Sequence, residues 1–113
     1  MSETLTLDDL ATPLRVLRLL AVDFGHLPAP DVQVSPIYPE RLELRLHDDL
    51  TGFEAWREAV GIAPDDVVYR EQSDGRTRVL KASTVYAGAE VVLFGYGTVT
   101  TPTTAPVLVG GAA

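Results

Sequence analysis

Residues 41–62 read RLELRLHDDLTGFEAWREAVGI, and the fold follows from how this stretch changes period. From Arg41 to His47 the chain alternates strictly. Leu42, Leu44 and Leu46 point one way, and Arg41, Glu43, Arg45 and His47 the other. A period of two with one apolar phase is the pattern of a half-buried antiparallel strand. At Asp48 and Asp49 the pattern breaks. Either aspartate can cap a helix, and a second carboxylate there is favoured by the helix dipole. Phe53, Trp56 and Val60 then fall on one helical face, with Glu54, Arg57 and Glu58 on another. Gly61 supplies the residue just past the helix, Ile62 is placed to fold back in a Schellman motif, and Pro64 stops continuation. A strand joined at once to an amphipathic helix predicts a sheet with a helix laid on it.

Working toward the N-terminus, Val32 and Val34 alternate with Asp31 and Gln33, and Pro36 and Pro39 force a turn before the quoted strand. Upstream, Leu10, Leu14, Leu17, Ala21 and Phe24 recur at helical spacing. Thr6 with Asp9 resembles a capping box. Pro13 divides this segment into a short first turn near residues 7–11 and a helix capped by Thr12 with Pro13 at its first position. Working toward the C-terminus, strands are expected at 67–72 and 76–81 around the loop Ser73-Asp74-Gly75. The side-chain phase drifts after Lys81, which suggests a bulge. Residues 89–98 are apolar in both phases: Val91 and Leu93 in one, Val92, Phe94 and Tyr96 in the other. Such a strand is central, or is an edge that buries itself in a partner. Gly95 and Gly97 mark a bend or a close backbone approach. The order is α-β-β-α-β-β-β. Short links between strands predict a mainly antiparallel sheet with two helices on one face, a two-layer α+β sandwich. A single domain over 1–99 and a flexible tail over 100–113 complete the expected organisation.

The 113-residue chain carries a net charge of −7 and is 46% hydrophobic, enough apolar material for a core. Residues 1–61 hold 11 acidic and 5 basic side chains, residues 62–113 hold 5 and 4. Eight of the nine bases are Arg, and Lys81 is the one lysine. This balance argues against a general nucleic-acid binder, whose phosphate affinity comes from clustered Lys and Arg. The basic second hairpin (Arg70, Arg76, Arg78, Lys81, near Tyr69 and Tyr86) is read as a solvated sheet face diluted by Glu71 and Asp74. The absence of cysteine excludes disulfides, thiolate zinc sites and cysteine nucleophiles. The acidic N-terminal residues and the charged interruptions of the first apolar run do not read as a signal peptide, and no run has the character of a membrane span, so a cytoplasmic protein is expected.

Chemistry has few footholds. His47-Asp48-Asp49 is the one place where imidazole and carboxylates cluster, the types needed for metal ligation or general base catalysis. A strand end followed by a helix start makes these side chains diverge, and no second cluster supplies further ligands. The glycines fit no phosphate loop and the serines no hydrolase elbow. No catalytic residue, metal or cofactor is assigned.

Residues 27–62 (LPAPDVQVSPIYPERLELRLHDDLTGFEAWREAVGI) resemble small uncharacterised proteins of streptomycetes and related actinobacteria, which accompany integrated plasmids or prophages. The resemblance implies a host type and a genomic neighbourhood, not an activity. Residues 31–97 also have the element order of a β-grasp domain, and with Gly110-Gly111 in the tail they look like a ubiquitin-like protein. The reading that results is a non-enzymatic accessory or protein-interaction module. It engages a protein partner or a second copy through the last strand, with Val91, Leu93, Phe94 and Tyr96 as the interaction surface. The alternatives are a small-molecule binder or carboxylate/histidine enzyme around His47, Asp48 and Asp49, or a ubiquitin-like protein.

Overall fold

The computed structural model describes residues 4–71 and 77–98. The loop Ser73-Asp74-Gly75 and the tail 100–113, with Gly110-Gly111, lie outside them. Among the described residues five strands form one sheet: β1 (Asp31–Ser35), β2 (Tyr38–His47), β3 (Val68–Glu71), β4 (Thr77–Tyr86) and β5 (Ala89–Thr98). The helices are α1 (Ala11–Asp23) and α2 (Leu50–Val60). The sheet order is β1-β2-β5-β4-β3. Three of its four neighbour pairs are antiparallel, and the fourth, β2 with the central β5, is parallel. A parallel pair needs a crossover, here supplied by α2 and the β3–β4 hairpin. The expected mostly antiparallel α+β sandwich is the architecture observed.

The quoted stretch folds as its period dictates. Leu42, Leu44 and Leu46 are 0%, 0% and 3% exposed. They share one core with Val16 and Leu20 of α1, Phe53, Trp56 and Val60 of α2, Ala82 of β4, and Val91 and Leu93 of β5. Both helices therefore cover the same face. Asp49 caps α2, its Oδ1 accepting from the Gly52 N–H at 2.8 Å. At the other end Gly61 adopts φ 83°, its N–H bonds the Glu58 carbonyl at 3.2 Å, and the Ile62 N–H bonds the Arg57 carbonyl at 3.0 Å. That is the Schellman pattern, and Ile62 folds back to 5% exposure. Trp56 donates from Nε1 to the Pro28 carbonyl at 2.8 Å, tying the segment between α1 and β1 to α2.

Three local expectations are corrected. Helix α1 begins at Ala11, so Thr12 is not its cap and Pro13 sits in the first turn, where its missing N–H belongs to the unpaired set anyway. The turn before it, Leu7–Leu10, is fastened by the Thr6 N–H donating to Asp9 Oδ2 at 2.8 Å. The buried face of α1 is Pro13, Val16 and Leu20, with Leu17 and Phe24 packed beside it, while Leu14 and Ala21 face outward. The helix is apolar on more than one side, so spacing alone left its rotation undetermined. Finally, β4 keeps one register with β5 from Thr77↔Thr98 to Tyr86↔Ala89, with no bulge. The phase drift after Lys81 reflects Val85 pointing outward at 74% exposure, not an inserted residue. Ala87 and Gly88, both with positive φ, close that hairpin.

Candidate functional site

The helices cover one side of the sheet, and among the described residues nothing covers the other. Alternation decides which side chains stand on the open side. In β5 these are Glu90, Val92, Phe94 and Tyr96, because Val91 and Leu93 point to the helices and are 0% exposed. Register then places Arg45 and Lys81 on either side of Phe94, and His47 and Val79 on either side of Tyr96.

The aromatic rings form a stack. His47 lies against Tyr96 with centroids 4.9 Å apart and planes 9° from parallel; Phe94 follows at 6.2 Å and 14°. The Arg45 guanidinium stands 4.9 Å from the Phe94 centroid and Lys81 Nζ 5.8 Å from it. Such cation–ring contacts at partly exposed sites are worth about 0.5–1 kcal/mol each.

The two halves of the open face differ in charge. Over β1 and β2, a ladder of ion pairs neutralises the surface. Glu43 lies 2.6 Å from Arg45 and 3.4 Å from Arg41, and Arg41 Nε donates to Glu90 at 3.0 Å. The hydrogen bond to Glu90, outweighing desolvation, raises the Arg41 pKa. Val92 lies on this side of the sheet and is only 1% exposed. Over β3, β4 and β5 the surface dips into an open concavity of about 340 Å³, lined by Val68, Arg70, Val79, Lys81, Phe94 and Tyr96. Among the described residues no carboxylate lines it. Among the described residues neither Arg70 nor Lys81 has an ion-pair partner.

The expected interaction residues are thus divided. Phe94 and Tyr96 stand on the open face, whereas Val91 and Leu93 belong to the core. Of the two places left open for residues 89–98, centre or edge, the structure takes the centre, so engagement of a partner by strand addition to β5 is corrected. β5 is the middle strand, hydrogen-bonded on both sides, so no further strand can add to it. Its double apolar phase arises because one phase meets the helices and the other forms the centre of the open face. Among the described residues the edge strands are β1 and β3. The basic hairpin is likewise split. Arg70 and Lys81 line the concavity, while Arg78 turns to the opposite side, its guanidinium 5.6 Å from the Tyr69 ring. Arg76 lies outside the described residues.

His47 ends β2 and Asp49 caps α2, yet both border one depression; Asp48 is not among its lining residues. His47 Nε2 lies 3.1 Å from Asp31 Oδ2, with exposures of 55% and 76%. Asp48 has φ 56° and spends its N–H on the Tyr96 carbonyl at 2.7 Å. Asp49 is committed to the helix cap. A second shallow depression of about 300 Å³ joins His47 and Asp49 to Asp31 and Arg45. Asp31 is a partner that sequence spacing could not supply, since it reaches His47 only through the β1–β2 register. Among the described residues no group of three or more His, Cys, Asp or Glu side chains is placed to hold a metal ion. Among them, too, no helix is long and apolar enough to cross a membrane.

No protein-family model, curated protein or solved structure matches this chain.

Proposed function

We propose that this chain is a non-enzymatic protein-interaction module, cytoplasmic, whose working surface is the open face of the sheet rather than a strand edge. The observation that carries this reading is the placement of Phe94 and Tyr96. They stand at the middle of the central strand, outside the helical layer, beside a concavity walled by Val68 and Val79. Interface centres favour aromatic anchors set in pockets and ringed by polar groups, which is the composition here. The resemblance of residues 27–62 to actinobacterial plasmid- and prophage-associated proteins points to the host in which a partner is sought.

Lys81 makes the reading testable, because it is the chain's one lysine and it borders Phe94. Its rate of amine labelling is measured in intact host cells and in dilute purified protein. An Asp23→Lys variant, altered at the exposed end of α1, provides a reference amine. Slower labelling of Lys81 in cells, with the reference unchanged, is expected. Equal rates in both settings would refute an occupied open face. Light scattering on the purified chain across the micromolar range separates the occupants. Concentration-dependent assembly with loss of Lys81 labelling identifies a second copy, and a monomer shielded only in cells identifies a different protein.

A further inference from the structure

The register of β3, β4 and β5 sets out the concavity as a grid of two rows. One row is Val68, Lys81 and Phe94, and the other is Arg70, Val79 and Tyr96. Neighbours within a row are about 5 Å apart and the rows about 7 Å apart. The two cations therefore sit on a diagonal, each flanked by apolar groups. Elsewhere on this face the chain neutralises its own arginines, as Glu43 and Glu90 do for Arg41 and Arg45. Here two cations meet no carboxylate among the described residues, in a protein with a surplus of acids.

We infer that this concavity is an anchor site for a partner segment presenting a carboxylate beside an apolar side chain. Arg70 and Lys81 hold the carboxylate, and Val79, Phe94 and Tyr96 receive the apolar group. The inference rests on the open-face reading above and adds the chemistry of the partner. Three observations select a peptide over a nucleic acid strand. His47 is already stacked near-parallel on the Tyr96 ring with centroids 4.9 Å apart, whereas stacking of bases needs free ring faces. The net charge of −7 repels a polyanion at long range but leaves a single carboxylate to the two nearby cations. The volume, about 340 Å³, is at the low end of small-ligand pockets and suits one or two side chains.

The test uses the full chain and four probes: blocked tetrapeptides with Asp-Phe, Asn-Phe or Asp-Ser at their centre, and an oligothymidylate. Amide NMR shifts of Val68, Arg70, Val79, Lys81, Phe94 and Tyr96 are followed in each titration. The Asp-Phe peptide is expected to give saturable shifts at these residues. Binding should be about tenfold weaker for Asn-Phe, because a charge-assisted hydrogen bond becomes a neutral one. It should also be weaker for Asp-Ser, and for Asp-Phe in high salt. An Arg70→Gln/Lys81→Gln double variant, altered only at exposed positions, should keep its fold and lose the preference for Asp over Asn. Equal binding of Asp-Phe and Asn-Phe, no shift with any peptide, or tighter binding of the oligothymidylate at these residues overturns the inference. If the peptides fail while Lys81 is still shielded in cells, the partner chemistry is wrong and the open-face reading stands. If Lys81 is unshielded in cells, that reading itself has failed.

Discussion

Replacing Gly95 by alanine probes the contact that seats α2 on the sheet. Gly95 lies on the helix side of β5, between Leu46 and Leu80 in register. A Cβ built there would meet Phe53 Cδ2 at 2.9 Å, Cγ at 3.0 Å and Cβ at 3.2 Å. Two of these atoms are at the root of the side chain, and Phe53 is 0% exposed, so the ring has nowhere to swing. Relief requires α2 to lift off β5. Overpacking of this kind costs about 1–3 kcal/mol, while removing a glycine from a strand returns about 0.5–1 kcal/mol. The expected net loss is about 1–2 kcal/mol, a fall in Tm of about 5–10 °C for a domain of this size. Urea unfolding followed by the fluorescence of the single tryptophan, Trp56 on the same helix, measures it directly. Combining Gly95→Ala with Phe53→Ala should cost less than the sum of the two single losses, because alanine at 53 removes the Cγ and Cδ2 that the new Cβ would meet. A Gly95→Ala variant with an unchanged or raised midpoint would refute the close approach of α2 to β5.

Other substitutions separate the two faces and test the caps. Leu93→Lys buries an unpaired amine at a position with 0% exposure and should abolish the folded circular dichroism signal, whereas Phe94→Ala on the open face should leave that signal intact. Asp49→Ala removes the α2 cap and should lower stability by about 1 kcal/mol, read as a shift in the urea midpoint at unchanged m. The Tyr69 hydroxyl donates to Glu71 at 2.8 Å, and this hydrogen bond is the main reason its phenol pKa is raised. Because the folded-state pKa is the higher one, the associated stability is complete below the ordinary tyrosine pKa and is lost as pH rises through the raised value. Glu71→Gln should return the Tyr69 ring titration toward the ordinary range and flatten that alkaline loss, as followed by NMR of the tyrosine ring carbons.

The legible parts of the fold were those where one physical pattern admits one answer. Alternation in residues 41–47, the Asp49 cap and the Gly61–Ile62 ending each specify their own geometry, and each forms as read. Rotation of α1 was not legible, because Leu14, Leu19, Ala21 and Val22 give it apolar residues on sides that do not meet the sheet. The place of β5 was narrowed to centre or edge, and only pairing partners far away in sequence decide between them. The two phases of β5 were legible, but which of them meets the helices was not: Val91 and Leu93 do, and Phe94 and Tyr96 stand on the other side. Val68, Arg70, Val79 and Lys81 were visible as strand residues, but only register brings them together beside Phe94. The contact between Asp31 and His47 was hidden for the same reason.

The parallel seam between β2 and β5 also governs how the molecule is assembled. Its contacts span 49 residues, as between Arg41 and Glu90. Closing a loop of that length costs about 3.5 kcal/mol, against about 1 kcal/mol for a tight hairpin. The β1–β2 and β4–β5 ribbons can each form locally, so the seam is the step that joins two half-built pieces. The segment Pro64–Asp66, exposed and without core residues, is the covalent strap between them. A chain cut there would leave each piece holding one side of the seam, which makes this short turn the natural point for splitting the molecule and rejoining it from two separately expressed fragments.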